Sequence, residues 1–95
     1  MLGIGGSVRL TTDVLANGAY PTRVYSIHII SGATAAIVSL KEGSTGGQIV
    51  AKETGTASTG KTISYGYPGM LFPTGCFVDV DGNTTSVLVN CVREA

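Results

Sequence analysis

The residues that could do chemistry in this chain are few, and the most conspicuous are Gly55, Gly60, Lys61 and Thr62. With the intervening Thr56-Ala57-Ser58-Thr59 they spell the phosphate-loop pattern G-x-x-x-x-G-K-T. Phe77-Val78-Asp79 could stand for the short apolar strand that ends in a magnesium-binding acid. Such a loop holds phosphates on amides that converge at a helix N-terminus, so a helix must come directly after it. The next residues, Ile63-Ser64-Tyr65-Gly66-Tyr67-Pro68-Gly69, are instead an alternating run broken by glycines and a proline. The segment therefore reads as a hairpin loop entering a strand, with Lys61 beside Glu53 and Ile63 beside Ala51 on the preceding strand. No nucleotide or other cofactor is expected.

Three further constellations are weaker. Asp79-Val80-Asp81-Gly82-Asn83 alternates oxygen ligands as calcium loops do, but Asn90 stands where the distal bidentate glutamate belongs, so Asp81-Gly82 reads as a turn. His28 and Ser26 share a strand face at roughly 6 to 7 Å, too far for a direct hydrogen bond, and no acid is placed to orient the ring. Cys76 and Cys91 are the only cysteines. Without an export signal they are expected to be reduced core residues, and two thiols with one histidine in the whole chain make no metal site. The expectation is a protein with no catalytic residues, no metal and no enzymatic activity.

The elements that must position these residues are strands. Residues 75–93 read as an antiparallel hairpin turned at Asp81-Gly82-Asn83-Thr84, which sets Val80 against Val87, Val78 against Val89 and Cys76 against Cys91 on one apolar face. Residues 23–31 and 34–41 read as a second hairpin closed by Gly32-Ala33. In it Ile29 faces Ala36, Ile27 faces Val38 and Tyr25 faces Leu40, all six toward the core, while His28 lies across from Ile37 and Ser26 from Ser39. Residues 48–54 return beside the second of these strands, Ile49 opposite Leu40 and Ala51 opposite Val38, to make a meander. No window carries an uninterrupted helical period. The expected fold is all-β, with little or no helix: a small antiparallel β-sandwich of jelly-roll or immunoglobulin-like type, with about seven short strands.

Composition agrees with one domain. Ninety-five residues can bury roughly 60 to 65 per cent of the unfolded surface around a single core. Residues 1–6 read as a flexible glycine-rich tail and residues 7–95 as the sandwich. Six basic and six acidic residues cancel, which speaks against capture by nucleic acid or by an acidic membrane. The charged fraction, 13%, is about half the usual share, so small and hydroxyl residues must coat the surface. No apolar run approaches a membrane span, and the N-terminus lacks a signal-peptide pattern, so synthesis in a cytoplasm is expected. Among the aromatics, Tyr25 and Tyr65 are assigned to inward faces, leaving Tyr20 and Tyr67 as exposed rings that could stack on sugars or bases. A carbohydrate-binding module is accordingly one alternative function.

From Val24 to Val92 the runs "VYSIHIISGATAAIVSLKEGSTGGQIVAKETGTASTGKT" and "GMLFPTGCFVDVDGNTTSVLVNCV" resemble small virion proteins of tailed bacteriophages, in particular those of marine and cyanobacterial phages. The resemblance covers about three quarters of the chain. It implies a non-enzymatic β-sandwich that decorates or cements the capsid, often as a trimer, through contacts with the major capsid protein or other virion proteins. A tail or neck component is the alternative placement. The partner contacts are expected along residues 1–13 and the loops 42–47 and 55–60, with Leu2, Ile4, Val8, Leu10, Tyr20 and Tyr67 as the candidate contact residues.

Overall fold

The computed structural model describes residues 15 and 20–93 in full and the backbone of residues 5–10 and 14. Among the described residues nine strand segments succeed one another: β1 (Gly5–Leu10), β2 (Val14–Leu15), β3 (Thr22–Ser31), β4 (Ile37–Glu42), β5 (Ile49–Thr54), β6 (Gly60–Ser64), β7 (Met70–Phe72), β8 (Cys76–Val80) and β9 (Thr84–Arg93). They form two antiparallel sheets, and no helix occurs among the described residues. The first sheet runs β1-β9-β3-β6, with β7 continuing the β6 lane along β3, and the second runs β2-β8-β4-β5. With β6 and β7 sharing a lane and β2 only two residues long, the β-sandwich has seven full lanes, the number the turn spacing indicates. Gly5 and Gly6, expected in the tail, are paired in β1 opposite Val92 and Cys91.

Alternation builds the core. Ile27 and Ile29 of β3 and Val87, Val89 and Cys91 of β9 point inward from the first sheet, and Val38, Leu40, Cys76 and Val78 meet them from the second. Val24, Ala36 and Phe72 complete the buried set, with Ile63, Tyr65 and Met70 packed around it. At about 25 cal/mol per Å², burying side chains of this size is the main driving force, and it needs both sheets, because each has only one apolar face.

The pairing of these strands differs from the sequence expectation in an instructive way. β8 and β9 are not a hairpin: Val78 and Val80 pair with Leu40 and Val38 in the second sheet, while Val87 and Val89 pair with Ile29 and Ile27 in the first. Likewise β3 and β4 lie in opposite sheets, so the turns at Gly32-Ala33 and Asp81-Gly82 are arches across the core rather than ends of ladders. That separation of β3 from β4 removes the expected meander, and the connection from β5 to β6 crosses in the same way, setting Lys61 beside Ile29 and Ile63 beside Ile27 instead of Glu53 and Ala51. His28 therefore stands between Thr62 and Leu88, not across from Ile37, and Ser26 between Ser64 and Asn90, not across from Ser39.

The β4–β5 pair is a true hairpin, displaced by two residues, with Leu40 opposite Ala51 and Val38 opposite Glu53. A displacement of two keeps Ala51 on its face, but a register shift between Leu40 and Lys41 sets Ile49, expected opposite Leu40, opposite Lys41 and leaves it 49% exposed. Tyr25, expected to face inward, does not. A register shift between Val24 and Ser26 in the β3·β9 ladder inserts an extra residue there, so that Val24 fills the core and Tyr25 turns outward.

Candidate functional site

The phosphate-loop string opens no helix. Residues 55–59 form a loop and Gly60–Ser64 a strand, and three of the loop's amides are already engaged. Gly55 N–H donates to the Ala36 carbonyl at 2.8 Å, Ser58 N–H to that of Gly32 at 2.6 Å and Thr59 N–H to that of Thr56 at 3.3 Å. A nest of amides free to converge on phosphate is thus replaced by a lock onto the β3–β4 arch. Both glycines of the string have packing reasons. A Cβ at Gly55 would lie 2.5 Å from Ser31 Oγ and 3.1 Å from Ile29 Cγ2, and one at Gly60 would lie 2.6 Å from His28 Nε2. Lys61 Nζ donates to the Thr54 carbonyl at 3.1 Å and so ties β6 to the end of β5 across the sandwich.

Glu53, expected to pair with Lys61, instead accepts the Tyr65 hydroxyl at 3.0 Å. Burial, then that hydrogen bond and the Glu53 charge, push the Tyr65 phenol well above its ordinary range. This contact closes the open side between β5 and the end of β6.

The acids of the calcium-like stretch are divided between two structural tasks. Asp79 Oδ2 accepts Lys41 Nζ at 2.6 Å on the outer face of the second sheet. Asp81 caps its own turn: its Oδ1 accepts Asn83 N–H at 3.1 Å and the Thr84 hydroxyl at 3.0 Å. Desolvation works to raise the Asp81 pKa, but hydrogen bonds from Ile37, Thr84 and Asn83 outweigh it and hold the carboxyl below its ordinary value. The turn expected at Asp81-Gly82 forms, although it joins two sheets. No group of three potential metal ligands occurs among the described residues.

His28 Nδ1 lies 2.7 Å from Thr62 Oγ1 on the neighbouring strand, and Ser26 is not its partner. Cys76 and Cys91 are buried thiols not joined in a disulfide, one in each sheet. Burial first, then the neighbouring Cys91 and Glu42, push the Cys76 thiol up to about 12, so it stays protonated and unreactive at neutral pH.

The surface offers aromatic rings instead of reactive groups. Tyr67 is 90% exposed, and its ring lies parallel to that of Tyr25, with 6.4 Å between centroids and 8° between planes. Tyr20 is 48% exposed, but the Arg93 guanidinium sits 3.5 Å over its ring. Among the described residues, Leu71 on β7 and Ile37, Ile49 and Val50 on β4 and β5 are the other large apolar side chains left in water. Of the remaining contact candidates, Val8 stands opposite Val89 and Leu10 opposite Val87, two residues of the core row, so β1 is paired within its own sheet. Leu2 and Ile4 lie outside the described residues, as do the side chains of the whole 1–13 segment. Sequence reasoning missed Tyr25 as a surface residue, because the extra residue that turns it outward leaves no mark on the alternation.

The sequence matches no protein-family model, and no characterised protein is similar enough to stand as its relative.

Proposed function

We propose that this chain is a non-enzymatic structural protein of a tailed-phage virion, first a capsid decoration or cement protein and second a tail or neck component. The observation that carries the reading is the division of labour among its side chains. Every acid and lysine of the phosphate-loop and calcium-like stretches serves an internal contact, while large apolar side chains, Tyr67, Tyr20, Leu71, Ile49 and Val50, are left on the surface of a sparsely charged, net-neutral sandwich. A small body of this kind binds by shape and apolar contact, and copies of it do not repel one another. The resemblance of residues 24–92 to phage virion proteins gives that property a setting. The partner is then the major capsid protein or another virion protein, and the chain acts as a homo-oligomer, a trimer at capsid three-folds, after synthesis in the host cytoplasm.

The test is the solution mass by light scattering at several concentrations, followed by co-sedimentation with heads and with tails of the phage that encodes the chain. A trimer that sediments with heads supports decoration, and a larger ring that sediments with tails supports the alternative. A strict monomer that sediments with neither overturns both.

A further inference from the structure

We infer that the outer face of the first sheet carries a binding platform for a neutral saccharide chain, built on Tyr67 and Tyr25. Three features make the platform more than an exposed ring. The first is that Tyr67 is held in place. Its turn is tied down on one side by Arg23 Nη1 donating to the Pro68 carbonyl at 3.3 Å and on the other by Gly66 N–H donating to Ser64 Oγ at 3.3 Å. Gly66 and Gly69 both take positive φ, 73° and 81°, and a Cβ at Gly69 would come within 2.6 Å of the Val24 carbonyl oxygen, so the turn lies flat against β3. The ring of Tyr67 is thereby set parallel to Tyr25 and presented to water, so that little ordering remains to be done when a ligand arrives.

The second feature is what lies beside the rings. The register puts Asn90, Ser26 and Ser64 side by side on β9, β3 and β6, and Leu88, His28 and Thr62 in the next row. At roughly 4.8 Å between strands, each row spans about 10 Å. These rows hold amide, hydroxyl and imidazole groups and one leucine, with no carboxylate and no lysine. The third feature is charge. The outer face of the second sheet carries Lys41, Asp79 and Lys52, whereas beside the rings the ion is Arg23, which donates to the turn, and the register places Arg9 of β1 opposite Leu88, at the far end of the second row from the rings. A pyranose ring has an apolar C–H face that stacks on an aromatic ring and a hydroxyl rim that bonds amides and hydroxyls; an uncharged one matches this surface in both respects. A flat shelf suits a chain running across it better than a single sugar.

The platform is independent of whether the chain sits on the head or the tail. Its test is affinity gel electrophoresis of the native protein through gels containing hydroxyethyl cellulose, xylan or galactomannan, with Tyr67→Ala, Tyr67→Phe and Tyr20→Ala alongside. At least one polysaccharide is expected to retard the wild type. Tyr67→Ala should lose that retardation by tenfold or more, while Tyr67→Phe and Tyr20→Ala keep it. Migration of the wild type unaffected by all three polymers overturns the platform, and so does equal retardation of Tyr67→Ala. Light scattering on the same variants separates the rival occupant: an oligomer that Tyr67→Ala dissolves assigns the ring to a second copy and overturns the saccharide. Particle sedimentation that survives Tyr67→Ala leaves the virion proposal standing whichever way the gels fall.

Discussion

The two outer faces of the sandwich start from the same alternation and end in different states. On the second sheet, Lys41 and Asp79 neutralise each other at 2.6 Å over the buried Ser39, and Lys41 also reaches the Thr45 carbonyl, so the charges at its centre are already paired. On the first sheet the outward positions hold Tyr25, Ser26, His28, Leu88 and Asn90, and a glycine-bearing turn lays Tyr67 over one corner. The difference teaches that patterning fixes which side chains leave the core, while their chemistry decides whether they then need anything else. The second face pairs its central ions and leaves apolar side chains such as Val50 for contact, whereas the first offers uncharged polar groups beside stacked rings.

Substitutions can break or sharpen this contrast. The largest effect falls on what the faces share: Phe72→Ala removes the largest fully buried side chain and should cost about 3–5 kcal/mol in urea unfolding, with both sheets lost in one transition. Next is Gly47→Ala in the β4–β5 loop, where a Cβ would collide with the Glu42 carbonyl oxygen. The clash should cost about 1–3 kcal/mol and loosen the edge of the second sheet, which hydrogen exchange of β5 would detect.

A pH series reads the core from both sides. Cys76 is held at about 12 in the fold, whereas an unfolded thiol ionises near ~8.5, so the unfolded chain loses its proton first. Stability is intact below pH ~8.5 and falls with rising pH between there and about 12, by up to about 1.4 kcal/mol per pH unit for this thiol. Cys76→Ala should flatten that slope in alkaline unfolding curves, and an unchanged slope would assign it to other groups. Smaller again, Lys41→Ala should cost about 0.2–1 kcal/mol, less in high salt, because the pair with Asp79 is only part-buried. At the bottom of the scale, Tyr67→Ala should leave stability within about 0.5 kcal/mol of wild type, for a ring so exposed adds little to the core. A large loss there would make Tyr67 scaffold and erase the contrast between the faces.

Much of the core was legible in the chain. Ile27, Ile29, Ala36, Val38, Leu40, Cys76, Val78, Val87, Val89 and Cys91 all sit inward as their alternation requires. Their partners were not legible, because Gly32-Ala33 and Asp81-Gly82 serve an arch between sheets as well as a turn within one. An apolar row facing its sequence neighbour's apolar row satisfies either arrangement, so the pattern specifies the face and not the ladder. Lys61-Thr62 lie in a strand, as expected, for a similar reason: residues 63–67 alternate whichever sheet they join. The platform was only half visible. Tyr67 stood out among glycines and a proline, whereas Tyr25 occupies an inward place in an unbroken count and leaves it only through one extra residue against β9.

β9 comes after every other described strand in the chain, yet it lies between β1 and β3 and pairs with both. While the ribosome is still holding residues 84–93, the first sheet lacks its middle, and Ile27 and Ile29 are without Val89 and Val87, the core residues they pair beside. β9 must emerge before that sheet can form, and the sparse charge gives the waiting segment little to keep it from its neighbours. Slowing synthesis by lowering the temperature lengthens the wait for each chain but thins the crowd of waiting ones. Yield of soluble protein should therefore track the number of nascent chains exposed at once rather than the stability of the finished sandwich.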